Sequence, residues 1–130
     1  MYAALQAVVA VVDDDPRVLQ SLENLLESSG FTVHRYASAA AFLEDPMRPG
    51  VDCLIADVGM PMMDGVELQR LAAIKYPDLP VMLITGRHEL APAGAAAANN
   101  RGIFLKPFDG LALIRAVAFA IQDARRDPVA

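Results

Sequence analysis

Residues 7–16 read Ala7-Val8-Val9-Ala10-Val11-Val12-Asp13-Asp14-Asp15-Pro16. Six apolar residues, four of them valine, give way at once to three carboxylates and a proline. A run this short and apolar throughout is the pattern of a strand covered on both faces, as in parallel sheets. Asp15 and Pro16 then suit the N-cap and first position of a helix. The stretch reads as strand, acidic turn, helix, the opening unit of an alternating α/β chain.

Three later runs repeat the arrangement. Residues 52–56 end at Asp57, residues 81–84 at Thr85 and residues 102–105 at Lys106, while residues 31–36 alternate around His34 as a further strand. Between them the helical signals are equally local. A helix is predicted from Pro16 to about Ser29, with Val18, Leu22, Leu25 and Leu26 at helical spacing, Leu19 beside them and Gly30 as its stop. Ser38 caps a second helix carrying Phe42 and Leu43, which ends before Pro46; residues 47–51 form a loop. Residues 58–64 are a loop, and Gly65 opens a helix through Lys75 with Leu68, Leu71 and Ala72 facing inward. Between Arg87 and Arg101 the pattern weakens, because Pro92 and Gly94 precede an alanine block, and a short helix is expected. Asp109 caps a final helix with Ile114, Val117, Ala118 and Ile121 on one face.

Five strands alternating with five helices predict a flavodoxin-like (βα)5 doubly wound parallel sheet, strand order 2-1-3-4-5. The switch point of that order lies between strands 1 and 3, where Asp13, Asp14 and Asp57 end. Ligands of open α/β sheets bind at such strand ends.

Composition narrows the function. The 130 residues suit one domain, residues 1–130, with 55% apolar residues and no second or output domain expected. A net charge of −5 argues against direct nucleic-acid binding. The basic pair Arg125–Arg126 suits a helix C-terminus. With no membrane-length apolar stretch and no basic n-region at the start, the expected location is cytoplasmic. The single cysteine, Cys53, reads as a core residue.

Taken singly, Asp14 or Asp15 is a cap, Thr85 a turn residue and Lys106 a solvated end. Their joint placement at strand ends argues for a site. Three carboxylates brought close repel one another unless a cation is present, and Mg²⁺ takes one or two carboxylates plus phosphate oxygens. Asp57, alone at its strand end, is the expected nucleophile for an aspartyl phosphate. Asp13 and Asp14 would hold the metal, Thr85 would donate to a phosphoryl oxygen, and Lys106 would offset its charge.

The chain resembles the receiver domains of two-component response regulators from Val8 to about Ala124. The matching motifs are Val11-Val12-Asp13-Asp14-Asp15, Asp57 with Met60-Pro61 and Met63-Asp64-Gly65, Leu83-Ile84-Thr85-Gly86, and Lys106-Pro107-Phe108. Residues Ala37-Ser38-Ala39, Phe42-Leu43 and Ile84-Thr85-Gly86 look most like receivers of the FixJ/NarL type, which usually precede a DNA-binding domain. The resemblance implies that Asp57 accepts phosphate from a sensor histidine kinase, in a signalling domain rather than an enzyme, and that the output regulates transcription. It implies direct Mg²⁺ ligation by Asp14 and Asp57, ligation by Asp13 through water, and a further ligand from the Gly59 carbonyl. The Lys106–Pro107 bond is a candidate cis peptide. Kinase contacts are expected near Arg17, Leu19 and Gln20; output or homodimer contacts are expected on the helix between Arg87 and Arg101, the fifth strand and the final helix.

The sequence also departs from that pattern. Ile103 stands where relatives often carry an aromatic ring that moves on activation. Gly59 has no side chain to shield or orient an attacking water, and Arg87 could reach over the site, so Gly59→Asn and Arg87→Ala are expected to alter the lifetime of the phosphoryl group. His34 and His88 read as ordinary surface residues. Two rival readings fit the same acidic cluster: an aspartyl phosphatase, which would usually carry an acid where Gly59 stands, and a receiver-like module that binds partners without phosphorylation.

Overall fold

In the computed structural model, β3 (Cys53–Asp57) is buried at all five positions, the pattern of a strand covered on both sides. The structure describes residues 6–45, 50–85 and 109–125, together with the backbone of 103–105. Around β3 lie β1 (Val8–Val12), β2 (Thr32–Tyr36), β4 (Val81–Thr85) and β5 (Ile103–Leu105). All pairings are parallel, in the order β2-β1-β3-β4-β5. This is the expected doubly wound order. Strand bounds shift by a residue from the sequence reading, chiefly because β3 begins at Cys53 and includes Asp57.

Helix α1 (Pro16–Ser28) starts where Asp15 accepts from the Arg17 amide, with proline in its first turn. It ends at Ser29 and Gly30, the latter at φ 98, a left-handed position that glycine adopts without strain. Helix α2 (Ala39–Glu44) is capped by Ser38, which accepts from the Ala41 amide. Helix α3 (Gly65–Lys75) is capped by Asp64. The final helix, α4 (Gly110–Arg125), begins where Asp109 accepts from the amides of Leu111 and Ala112 at 3.0 and 3.3 Å. The helix expected between Arg87 and Arg101 lies outside the described residues, as does the loop at Met47 and Arg48.

Alternation along β1 and β3 divides the core in two. Val9, Val11, Cys53 and Ile55 pack with Leu19, Leu22 and Leu26 of α1 and with Leu113, Ile114, Val117, Ala118 and Ile121 of α4. Ala10, Val12, Leu54 and Ala56 pack with Phe42 of α2 and with Leu68 and Ala72 of α3. Leu71, expected to face inward, is half-buried. Tyr36 meets Phe42 edge to face at 5.4 Å, and its hydroxyl donates to Asp45 beyond α2.

A clasp closes the opposite ends of the strands. Asp52 accepts from the Val8 amide at 2.9 Å and pairs with Arg125 at 3.4 Å, and Arg125 also donates to the Gln6 carbonyl. Next to this clasp Cys53 is fully buried, and desolvation, with Asp52 nearby, pushes its thiol up to about 12. Among the described residues, no helix is long and apolar enough to cross a membrane.

Candidate functional site

The sheet register brings the acidic strand ends together. Val12 is opposite Ala56, so Asp13 leaves β1 level with Asp57; on the other side Asp57 is opposite Ile84, and Thr85 follows. Ladder bonds continue past the last strand pairs. The Asp13 amide donates to the Tyr36 carbonyl at 3.1 Å, and the Val58 amide donates to the Ile84 carbonyl at 2.8 Å. The carboxylates therefore project from backbone held by neighbouring strands.

One carboxylate oxygen from each of Asp13, Asp14 and Asp57 lies within 4.8 Å of the others. Asp13 is 0% and Asp57 7% exposed, whereas Asp14 faces solvent. Three carboxylates this close repel one another unless positive charge is supplied between them. The Asp13 side chain also accepts from the Asp15 amide at 2.9 Å, which turns the chain from β1 into α1. A set of hard oxygen donors, partly buried and open on the Asp14 side, fits a small divalent cation such as Mg²⁺. Thr85 is 1% exposed at the end of β4. Lys106, Pro107, Gly86, Arg87 and His88 lie outside the described residues, as does the side chain of Ile103.

The loop after Asp57 is organised by burial. Val58 and Met60 are buried, while Met62 is fully exposed at φ 70. Gly59 is exposed, its φ is outside the left-handed region, and a Cβ built there would lie 3.9 Å from Asp57 Oδ2 with nothing nearer. The turn therefore does not require glycine at 59. Gly65 is the opposite case. A Cβ there would stand 2.5 Å from the Asp57 carbonyl oxygen and 2.8 Å from its carbon. The sequence reads Gly65 as the opening of a helix and as part of the Met63-Asp64-Gly65 motif, and neither reading gives the distance that requires glycine there.

At the rim, Arg17 pairs with Asp15 at 3.2 Å. Hydrogen bonds from the Arg17 guanidinium and amide hold the Asp15 carboxyl below its usual 3.8. Leu19, expected among the surface contacts, is 6% exposed and packs into the core. At about 100° per residue, a helix that buries Leu22 and Leu26 must also turn Leu19 inward. Arg17 and Gln20 remain exposed. His34 is half-buried on edge strand β2. A cavity of about 420 Å³, lined by residues including Asp52, Tyr76, Leu79 and Arg125, lies at the far ends of the strands and includes none of the clustered carboxylates.

Known proteins share this architecture. Residues 9–118 match the family model described as the response regulator receiver domain. The response regulator TmoT of Ectopseudomonas mendocina is 36% identical over 90% of this chain and 54% of its own length. The transcriptional regulatory protein FixJ of Azorhizobium caulinodans is 40% identical over 84% of this chain and 52% of its own length. The chain thus spans about half the length of these curated relatives. The solved structure of the response regulator StyR superposes with a TM-score of 0.76 at 36% identity, covering 90% of this chain and 60% of that one. A receiver domain from Clostridium thermocellum gives 0.75 at 28% identity, covering 90% and 95%. With the doubly wound sheet and a family match spanning most of its length, the chain belongs to the receiver domains of two-component response regulators.

Proposed function

We propose that this receiver takes a phosphoryl group onto Asp57 in a Mg²⁺-dependent reaction, from a phosphohistidine on a sensor histidine kinase, and that this switches its partner contacts. The observation that carries the reading is the convergence of three carboxylate oxygens within 4.8 Å at the carboxyl ends of adjacent strands. An Asp57 oxygen attacks phosphorus as the bond from phosphorus to the donor imidazole breaks, and the freed nitrogen takes a proton from water. Asp14 and Asp57 would hold Mg²⁺ directly, Asp13 through water, with the Gly59 carbonyl as a further ligand. Bound there, the ion supplies positive charge to the carboxylates and the phosphoryl oxygens. Thr85 donates to a phosphoryl oxygen, and Lys106 adds a second cation to it.

The domain is proposed as a cytoplasmic phosphoacceptor without turnover on free substrates. Arg17 and Gln20 form part of the proposed kinase-facing surface. The output proposed from the relatives named as transcriptional regulators is control of transcription, through an output domain or a homodimer that contacts β5 and α4.

Intact-mass measurement after incubation with acetyl phosphate and Mg²⁺ tests the reading. The chain should gain one phosphoryl group, and Asp57→Asn none. No gain in the unaltered chain would instead favour a module that binds partners unphosphorylated, and label retained by Asp57→Asn would place the acceptor elsewhere.

A further inference from the structure

The first turn of α3 rests on the backbone of the proposed acceptor. The Gly65 amide donates to the Val58 carbonyl at 3.2 Å, and Gly65 itself is buried. The ideal Cβ position at 65 lies 2.5 Å from the Asp57 carbonyl oxygen, 2.8 Å from its carbon and 3.0 Å from Val58 Cα. All three neighbours are backbone atoms, so no side-chain rotation can make room. The helix is held in this position from both ends of the contact. Asp64 accepts from the Glu67 amide at 2.9 Å and its carbonyl accepts from Leu68 at 3.0 Å, while Leu68 and Ala72 are buried against the sheet. The Asp57 backbone is fixed on its other side by β4, through Val58 and Ile84.

We infer that Gly65 is a positioning residue for Asp57: its missing side chain lets α3 seat against the Asp57–Val58 backbone, and that seating sets where the carboxylate stands relative to Asp13 and Asp14. Resting on the function proposed above, the inference adds a determinant outside the group of carboxylate, hydroxyl and amine. An added methyl group must move either α3 or the Asp57 backbone, and misplacing a reacting group by an ångström costs on the order of a hundredfold in rate.

Three measurements on the whole chain test this: thermal melting, Mg²⁺ affinity from amide shifts in a magnetic-resonance titration, and phosphoryl uptake from acetyl phosphate. Gly65→Ala should weaken Mg²⁺ binding and slow uptake by about tenfold or more each. Leu68→Ala serves as the control, because it loosens the packing of α3 without pressing on Asp57. It should lower the melting temperature yet keep Mg²⁺ affinity within about twofold of the unaltered chain. Gly65→Ala with unaltered Mg²⁺ affinity and uptake would overturn the inference, as would equal losses of affinity in the two variants. If Gly65→Ala does not fold in buffer, it is refolded with trimethylamine oxide and compared with Leu68→Ala under the same conditions: weaker Mg²⁺ binding in Gly65→Ala supports the inference and equal binding overturns it. An unaltered chain that binds Mg²⁺ but takes no phosphoryl group would sink the proposed function and leave the Mg²⁺ comparison to judge Gly65. One that binds no Mg²⁺ would overturn both.

Discussion

Two glycines flank Asp57 with opposite constraints. Gly65 has no room for a methyl group, whereas Gly59 has an ordinary φ and open space reaching to within 3.9 Å of Asp57 Oδ2. An apolar side chain at 59 would fit without backbone strain and would cover the carboxylate against water. Gly59→Leu is therefore expected to slow loss of the phosphoryl group several-fold, on the order of 1 kcal/mol in barrier, as followed by mass spectrometry after removal of excess acetyl phosphate; an unchanged decay would count against any role for this position. The acidic residues were legible in the sequence because each apolar run stops abruptly at a polar one, and a strand end is where a parallel sheet presents its chemistry. The role of Gly65 was not. Its reason for being glycine is a distance across a loop to the Asp57 carbonyl, and no periodicity encodes that.

At the scale of elements, α1 shows how far hydrophobic spacing reaches. Leu22 and Leu26 face inward as their spacing predicts, but Val18 and Leu25 are half-buried and Leu19 is the more enclosed. The sequence shows a broad stripe; only the sheet beneath it decides the centre of that stripe. The helix start is more sharply encoded. Replacing Asp15 by alanine removes the bond to the Arg17 amide, and loss of such a cap costs about 1 kcal/mol, readable as a lower urea midpoint. The carboxyl of Asp15 is held below 3.8 by Arg17, so its contribution is present above that value and fades as pH falls through the lowered one. Its side chain is partly exposed, so solvent screening keeps this acid dependence small, and Asp15→Ala should flatten it.

Across the whole molecule, β1 and β3 serve two cores at once, so the strands that carry the carboxylates are also the most enclosed. The strand order was legible in the alternation of runs and turns, whereas the division of residues between the two cores emerged only with the sheet. The buried Cys53 thiol couples this interior to pH. It is raised from 9.0 to about 12 by desolvation, with Asp52 adding to the effect, so the folded chain holds the proton more tightly than the unfolded one. Stability should hold below pH 9.0 and fall as pH rises toward 12, and Cys53→Ala should remove that part of the decline in denaturant titrations. The same thiol is the chain's lone cysteine, stands four positions before Asp57, and belongs to a protein without tryptophan. A colorimetric disulfide reagent can reach it only when the central strand parts from its neighbours. Each labelling event is thus a stopwatch reading of that opening, and the Mg²⁺ and phosphoryl group proposed for the far end of β3 would be measurable as a delay in the reaction of a single sulfur atom.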